Sequence, residues 1–390
     1  MTRELTALGW IPYVQSAASQ EVPPPYNFPG VTVHAFVCET ALPKVQAYCD
    51  KFFNLGDPQT RGFRYDALGA WPYGLMMFID YPVMIRSGRG PENIGGETPY
   101  SDRGIVSQQE VFITVPVMRV GTAPGTLLTH SAIEWAIPFI TVGNPMSAVC
   151  GREMVGLQKL RGDITFGEGH FPESFSGRVR LPGWVATAGQ SLQQMHPFLR
   201  VDTGPVTPTF RGSPRESSMW TLLRSRAASG GIAGLATLSN FVDTITAGAV
   251  PTTMDTVSLK QLRDAQHPDK AIYQALVACR TKYTNIDRVR FFKEDDVRIT
   301  FENTLGSFKN VAPYLQTSSQ QPLDRREANK IQPVAAYRFN ADIDFDDMRT
   351  LHEYPIYDCD AATPSSLAVG DLSAPWLRPW KGFFGPRQVP

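Results

Sequence analysis

Tyr73–Ile85 (YGLMMFIDYPVMI), Gly104–Met118 (GIVSQQEVFITVPVM) and Ile133–Val142 (IEWAIPFITV) decide the fold class. Each is an apolar or alternating run rich in β-branched and aromatic residues, which is the signature of a strand. Gly/Pro breaks follow them in turn: GRGPENIGG, GTAPGT and GNP. The same texture continues in Met146–Leu160, Asp163–Phe166 and Ser176–Leu181. It returns at Val257–Leu262, Ala271–Tyr283, Val297–Glu302 and Pro333–Asp344. Upstream, residues 1–30 read as a turn-rich arm and Val31–Glu39 as the first strand. About a dozen short strands with such punctuation predict a mainly β protein, an antiparallel sandwich or barrel, rather than βαβ units.

Two stretches break the β pattern. Ala41–Phe53 places Leu42, Val45, Cys49, Phe52 and Phe53 at helical spacing, with Thr40 as N-cap. Ser217–Ile245 carries Trp220, Leu223, Leu235, Leu238 and Phe241 and reads as two helices broken at Gly230-Gly231. It predicts an α-helical insertion over about 205–254, set into a β scaffold. Residues 355–390 form a Pro-rich extension bearing Trp376 and Trp380. The expected organisation is one domain over residues 1–390, with its core at about 31–204 and 255–354.

Composition removes several function classes. Lys plus Arg is 37 and Asp plus Glu is 37, so no bulk field draws nucleic acid or an anionic membrane. No apolar run approaches the length of a membrane span. The N-terminus lacks a basic start followed by an apolar stretch, and a cytoplasmic location is expected. The five cysteines are scattered without CxxC spacing, and the six histidines show no metal-ligand spacing. Neither a metal nor another cofactor is expected.

Lysine usage carries more information. The chain has ten lysines against 27 arginines, and Lys159 is the single lysine between Lys51 and Lys260. Read as a strand running to Gly156, the segment presents Lys159 beside Leu157 and Leu160. Burial disfavours a charged amine, and a neutral amine can attack a ketone to form an iminium, an electron sink. On spacing alone, a surface lysine after a strand fits equally.

The segment Gly151-Arg152-Glu153-Met154-Val155-Gly156-Leu157-Gln158-Lys159 resembles the Gly-Arg-Glu…Pro-Lys-Lys signature of the acetoacetate decarboxylase family. Val33–Val45 resembles that family's first strand and following helix. Val257–Glu302 resembles its later barrel strands, and Ile331–Tyr354 its closing strand and helix. The resemblance implies an acetoacetate decarboxylase-like β-barrel with an α-helical insertion, assembled as a homo-oligomer. It places Lys159 on the Schiff-base lysine and Glu110 on the active-site glutamate. Arg152 and Glu153 fall on the motif's arginine and glutamate, and a structural ion pair is expected of them. Three positions depart from the pattern. Gln158 replaces the proline, Leu160 replaces the second lysine, and Val31 stands where a substrate-binding arginine is expected. Arg161, two residues beyond Lys159, would restore the neighbouring cation if the strand continues.

Three functions follow from the resemblance. The first is a Schiff-base lyase that decarboxylates a 3-oxo acid through an iminium on Lys159. The second keeps the iminium but acts as an aldolase, dehydratase or cyclase on a larger carbonyl compound, as the lost arginine suggests. The third is a non-catalytic ligand-binding protein on the same barrel. In each, the partner is a small carbonyl compound such as a keto acid, not nucleic acid or a membrane.

Overall fold

The computed structural model describes residues 24–69, 71–86, 105–122, 132–168, 174–187, 190–207, 253–302, 314–315 and 329–354. The expected helical insertion at Ser217–Ile245 and the extension at 355–390 lie outside these residues.

Successive side chains of a strand point to opposite faces, and here each face finds its own core. In β1 (Tyr26–Glu39), Val31, Val33, Ala35 and Val37 join one apolar cluster, while Phe36 and Cys38 join another. β2 (Phe63–Ala67), β3 (Tyr73–Arg86), β4 (Ile105–Gly121), β5 (Ala132–Val142), β6 (Leu160–Arg161), β7 (Asp163–Glu168) and β8 (Phe175–Thr187) follow. The remaining strands are β9 (Gln190–Asp202), β10 (Val206–Thr207), β11 (Thr253–Arg263), β12 (Ala271–Phe292), β13 (Arg298–Phe301), β14 (Asn329–Ile331) and β15 (Ala335–Glu353).

Seven strands close a ring in the order β4-β3-β1-β15-β12-β11-β5, and β5 pairs back with β4. Closure removes the free edges an open sheet would expose. The pairings around the ring are antiparallel except at one seam. There β5 runs parallel to β11, held by the pairs Trp135–Thr256 and Ala136–Val257. A second antiparallel sheet, β14-β13-β9-β8-β7, covers part of the barrel's outer face.

Two cores result. Inside the ring lie Val33, Met77, Ile79, Phe112, Ile140 and Phe339. Outside it, Phe36, Phe78, Val111 and Ile113 pack with Phe175, Val179 and Val201 of the second sheet. Val45 and Cys49 of α1 (Leu42–Phe52) belong to this outer core as well. Phe78 lies at its centre, with ring centroids 5.3 Å from Phe175 and 6.0 Å from Phe166. Gly177 makes the approach possible, since a Cβ there would come 2.7 Å from the Phe78 ring.

Several expectations change. The first strand begins at Tyr26, not Val31, because Pro29-Gly30 forms a bulge rather than a turn. The register shifts between Phe28 and Val31, and Gly30 takes φ 67°, which its missing Cβ tolerates. Thr40 does not cap α1. Its N–H binds the Pro72 carbonyl at 2.8 Å, and Ala41 takes the cap position without a side-chain bond. The predicted closing helix within Ile331–Tyr354 is absent, because β15 continues as strand to Glu353 between β1 and β12. β2 and β9 fall outside the runs picked from the sequence. The β9 sequence mixes polar residues, a proline and apolar residues, but the strand is sandwiched between β8 and β13, whose pairing fixes it.

The largest revision concerns Met146–Leu160, predicted as strand. Asn144 accepts the Met146 N–H at 2.9 Å and Pro145 opens a helix, α3 (Pro145–Cys150). A π-helical turn, Gly151–Val155, continues it and ends at Gly156 with φ 77°. The Asn-Pro pair read as a loop break is thus a helix start. After α2 (Pro58–Arg61), α3 completes the α-helices among the described residues, and none is long and apolar enough to cross a membrane.

Phe78→Ala should cost about 3–5 kcal/mol of stability, because the ring is fully buried between two sheets that cannot collapse together. Urea unfolding monitored by tryptophan fluorescence measures this. A loss under about 1 kcal/mol would mean that the outer core is not packed as described.

Candidate functional site

The helical turn before Lys159 determines where its side chain goes. Gly156 takes a left-handed conformation that reverses the chain, and its backbone presses on Lys260 of β11. A Cβ at Gly156 would come 2.6 Å from the Lys260 backbone. The Leu157 N–H then binds the Gly151 carbonyl at 2.9 Å, folding the chain back across the π turn. Ser258 of β11 donates to the Val155 carbonyl at 2.5 Å and ties the turn to the barrel. Lys159 therefore points inward, and its methylenes lie on Gly151. A Cβ at Gly151 would meet Lys159 Cδ and Cε at 2.6 Å.

The amine reaches two groups. Lys159 Nζ lies 2.6 Å from Glu110 Oε2 and 3.2 Å from Ser147 Oγ. Lys159 is 9% exposed and Glu110 5%, so the ion pair is almost wholly out of water. Glu110 comes from β4, where it sits beside Ile79 of β3 on the inward face. Its second oxygen, Oε1, receives a longer contact of 3.4 Å from the Tyr81 hydroxyl. Burial, then the Glu110 charge, pushes the Tyr81 phenol well above its usual range, so Tyr81 remains a hydrogen-bond donor.

These groups line a cavity of about 70 Å³ inside the barrel. That is room for roughly five to seven water-sized groups. Its walls include Tyr26, Phe28, Met84, Phe112, Ile140, Leu157, Met254, Tyr283 and Phe345. Burial also pushes the Tyr26 and Tyr283 phenols up, leaving both protonated. Gln108, two residues before Glu110 on β4, lines the same space. Among the described residues, Lys159 is the only lysine or arginine in this lining.

The structure thus brings Lys159 and Glu110 together and disperses the other expected residues. Arg152 and Glu153 are exposed on the π turn. No ion pair joins them, since consecutive residues on a helical turn point apart. Glu153 instead acts at a distance on Lys260. Gln158 is exposed, and so is Arg161. The two-residue spacing would put Arg161 on the face of Lys159 only in a regular strand, but β6 begins at Leu160. Arg161 is therefore no second cation for the site. Val31 is buried in the lumen core, as an apolar residue should be.

Tyr81, Ser147 and Gln108 were missed from sequence. Gln108 was within reach, because i and i+2 share a strand face and Glu110 was already singled out. Ser147 was hidden by the strand assignment of its helix.

No family model and no curated protein matches the chain. Three solved structures are similar to it over most of the chain. One, acetoacetate decarboxylase from Legionella pneumophila, is 11% identical, with a TM-score of 0.44 over 90% of this chain and 96% of the other. A second acetoacetate decarboxylase structure has 11% identity and a TM-score of 0.43, covering 86% of this chain and 93% of that one. An acetoacetate decarboxylase-like enzyme from Sphingomonas wittichii RW1 has 10% identity and a TM-score of 0.44, covering 86% and 96%. At such identities the site is read from its own geometry.

Another buried carboxylate supplies a contrast. Glu134 of β5 receives the Tyr65 hydroxyl at 2.5 Å and lies 3.2 Å from Arg119. Burial raises its pKa, opposed by those two partners. Glu134 is not among the residues lining the cavity. Both acids are buried, but of the two only Glu110 lines this cavity.

Gly151→Ala should leave the fold intact while displacing the Lys159 amine from Glu110. A misplacement near 1 Å lowers a covalent reaction by on the order of 10²-fold. Labelling of Lys159 by a carbonyl compound and borohydride, followed by peptide mass spectrometry, measures it. An unchanged labelling rate would mean that the lysine stem does not depend on Gly151.

Proposed function

We propose that this protein is an amine catalyst that forms an iminium between Lys159 and a small carbonyl compound. The observation that carries this reading is the buried amine 2.6 Å from a carboxylate, facing a mostly apolar cavity. The paired ammonium cannot attack a carbonyl until it gives up a proton, and Glu110 Oε2 is placed to take it. The free amine then adds to the carbonyl carbon. The resulting carbinolamine loses its oxygen as water, using the proton held by Glu110, and leaves a protonated imine. The apolar walls keep bulk water away from that intermediate.

The iminium accepts the electron pair of a neighbouring carbon–carbon bond as that bond breaks. In a 3-oxo acid the departing fragment is carbon dioxide, which makes the protein a decarboxylating lyase. In a β-hydroxy carbonyl compound it is a second carbonyl fragment, released as the hydroxyl proton leaves. Either way the enamine takes up a proton at carbon, and water hydrolyses the product from Lys159. One observation favours the second outcome. Among the described residues, no cation besides Lys159 lines the cavity, so a substrate carboxylate there would face Glu110 with no positive partner other than the iminium itself. The small volume limits the enclosed part of the substrate to a few carbon atoms.

Borohydride trapping with a panel of ketones, aldehydes and 3-oxo acids tests the covalent step. Labelling should map to Lys159, and Lys159→Arg should abolish it, because a guanidinium forms no iminium. Glu110→Gln should slow labelling at least tenfold without abolishing it, since proton transfer contributes about 10²–10⁴-fold to such steps. Label on another residue, or none, would defeat the reading and leave a non-catalytic binding protein. Released carbon dioxide, measured beside carbonyl products, separates decarboxylation from aldol-type cleavage.

A further inference from the structure

The side-chain oxygen of Gln108 is left open: the residue is 6% exposed, and among the described residues its Oε1 meets no hydrogen-bond donor. Buried polar atoms are hydrogen-bonded in the great majority of cases, so one left open calls for an explanation. Its position supplies one. Gln108 lies opposite Tyr81 in the β3–β4 pairing, and Glu110 lies opposite Ile79 on the same inward face. Gln108 and Lys159 line the same cavity. The two-residue step separates the Gln108 and Glu110 backbones by roughly 7 Å. An acceptor is therefore held a short molecule's length from the amine.

We propose that Gln108 binds a hydroxyl of the substrate, so that the cavity takes a hydroxy-carbonyl compound with its carbonyl toward Lys159 and its hydroxyl toward Gln108. The inference rests on the iminium reading above and adds a substrate class to it. A carboxylate has no proton to offer Oε1 and would also face Glu110. An amide N–H would bring a carbonyl needing a donor of its own. A hydroxyl supplies the missing donor without adding charge to an apolar chamber. Gln108 thereby separates hydroxylated carbonyl compounds from their deoxy analogues, because a site built to hydrogen-bond a hydroxyl discriminates against a ligand lacking it.

The test compares borohydride trapping of 4-hydroxybutan-2-one, butan-2-one and 3-oxobutanoate by the full chain and by Gln108→Met. Methionine keeps the length of the side chain and removes its acceptor. For the hydroxy ketone, the half-saturating concentration should rise about tenfold in the variant, as for loss of one hydrogen bond. The maximal labelling rate should stay unchanged, and butan-2-one should behave alike in both proteins. Butan-2-one also reports on folding, since an unfolded variant would lose that labelling too. Gln108→Leu provides a second apolar replacement if Gln108→Met fails this control. Equal changes for hydroxy ketone and butan-2-one overturn the role of Gln108 while leaving the iminium intact. A selective loss for 3-oxobutanoate overturns the hydroxyl assignment and means that the amide offers its N–H to a carboxylate. Absence of labelling with all three compounds in the wild-type chain overturns both the iminium reading and this one.

Discussion

A lysine amine held 2.6 Å from a glutamate, with both groups nearly out of water, is the constraint around which the barrel interior is arranged. Burying two charges costs several kcal/mol for each ion, and their attraction repays it only when geometry and further hydrogen bonds are good. Ser147 supplies a second partner for the amine, and Tyr81 approaches the far carboxylate oxygen. Replacing such a pair with apolar groups of similar size is often neutral or stabilising. The pair is thus poorly explained as a device for holding the fold together. Glu134 sits elsewhere in the barrel wall, and its Tyr65 and Arg119 partners suffice for a structural role.

Placing that amine requires backbone that ordinary side chains cannot supply. Gly156 reverses the chain at positive φ, against the backbone of Lys260. Gly151 leaves a groove for the lysine methylenes. The turn between them is π-helical, a rare conformation that concentrates at functional sites. The remaining support comes from β11 through Ser258, next to the parallel seam with β5. The ring therefore closes near the point where the helical turn docks. The sheet geometry and the site share the same few residues.

The strands were legible in the sequence wherever a long apolar or alternating run stood out, as in β1, β3, β4 and β5. The signal was weak where pairing decided the outcome. Pro29-Gly30 has turn composition, but neighbours on both sides hold it in a bulged strand. The end of β15 looked free to become a helix, and pairing with β12 keeps it extended. Asn144-Pro145 is ambiguous in sequence, because one dipeptide serves both a loop break and a helix start. In the site, Lys159 stood out by its isolation among arginines, and Glu110 by the family resemblance. Arg152 and Glu153 came with the family motif and Arg161 with an assumed strand, but a π turn and an irregular segment leave all three exposed.

The inward face of β4 joins these threads. Its period places Gln108, Glu110 and Phe112 in one line along the lumen: a neutral amide, a carboxylate and an apolar ring. A hydrocarbon wall alone would admit any small ketone, with little to orient it. A second charge would bind polar ligands, but its desolvation would have to be met again inside a small chamber. An uncharged acceptor beside the ion pair lets polarity act on orientation without another buried charge. If the proposed iminium forms, the same strand that handles its proton also presents the group that turns the substrate toward the amine. Chemistry and selectivity would then be set by the two-residue pleat of a single strand.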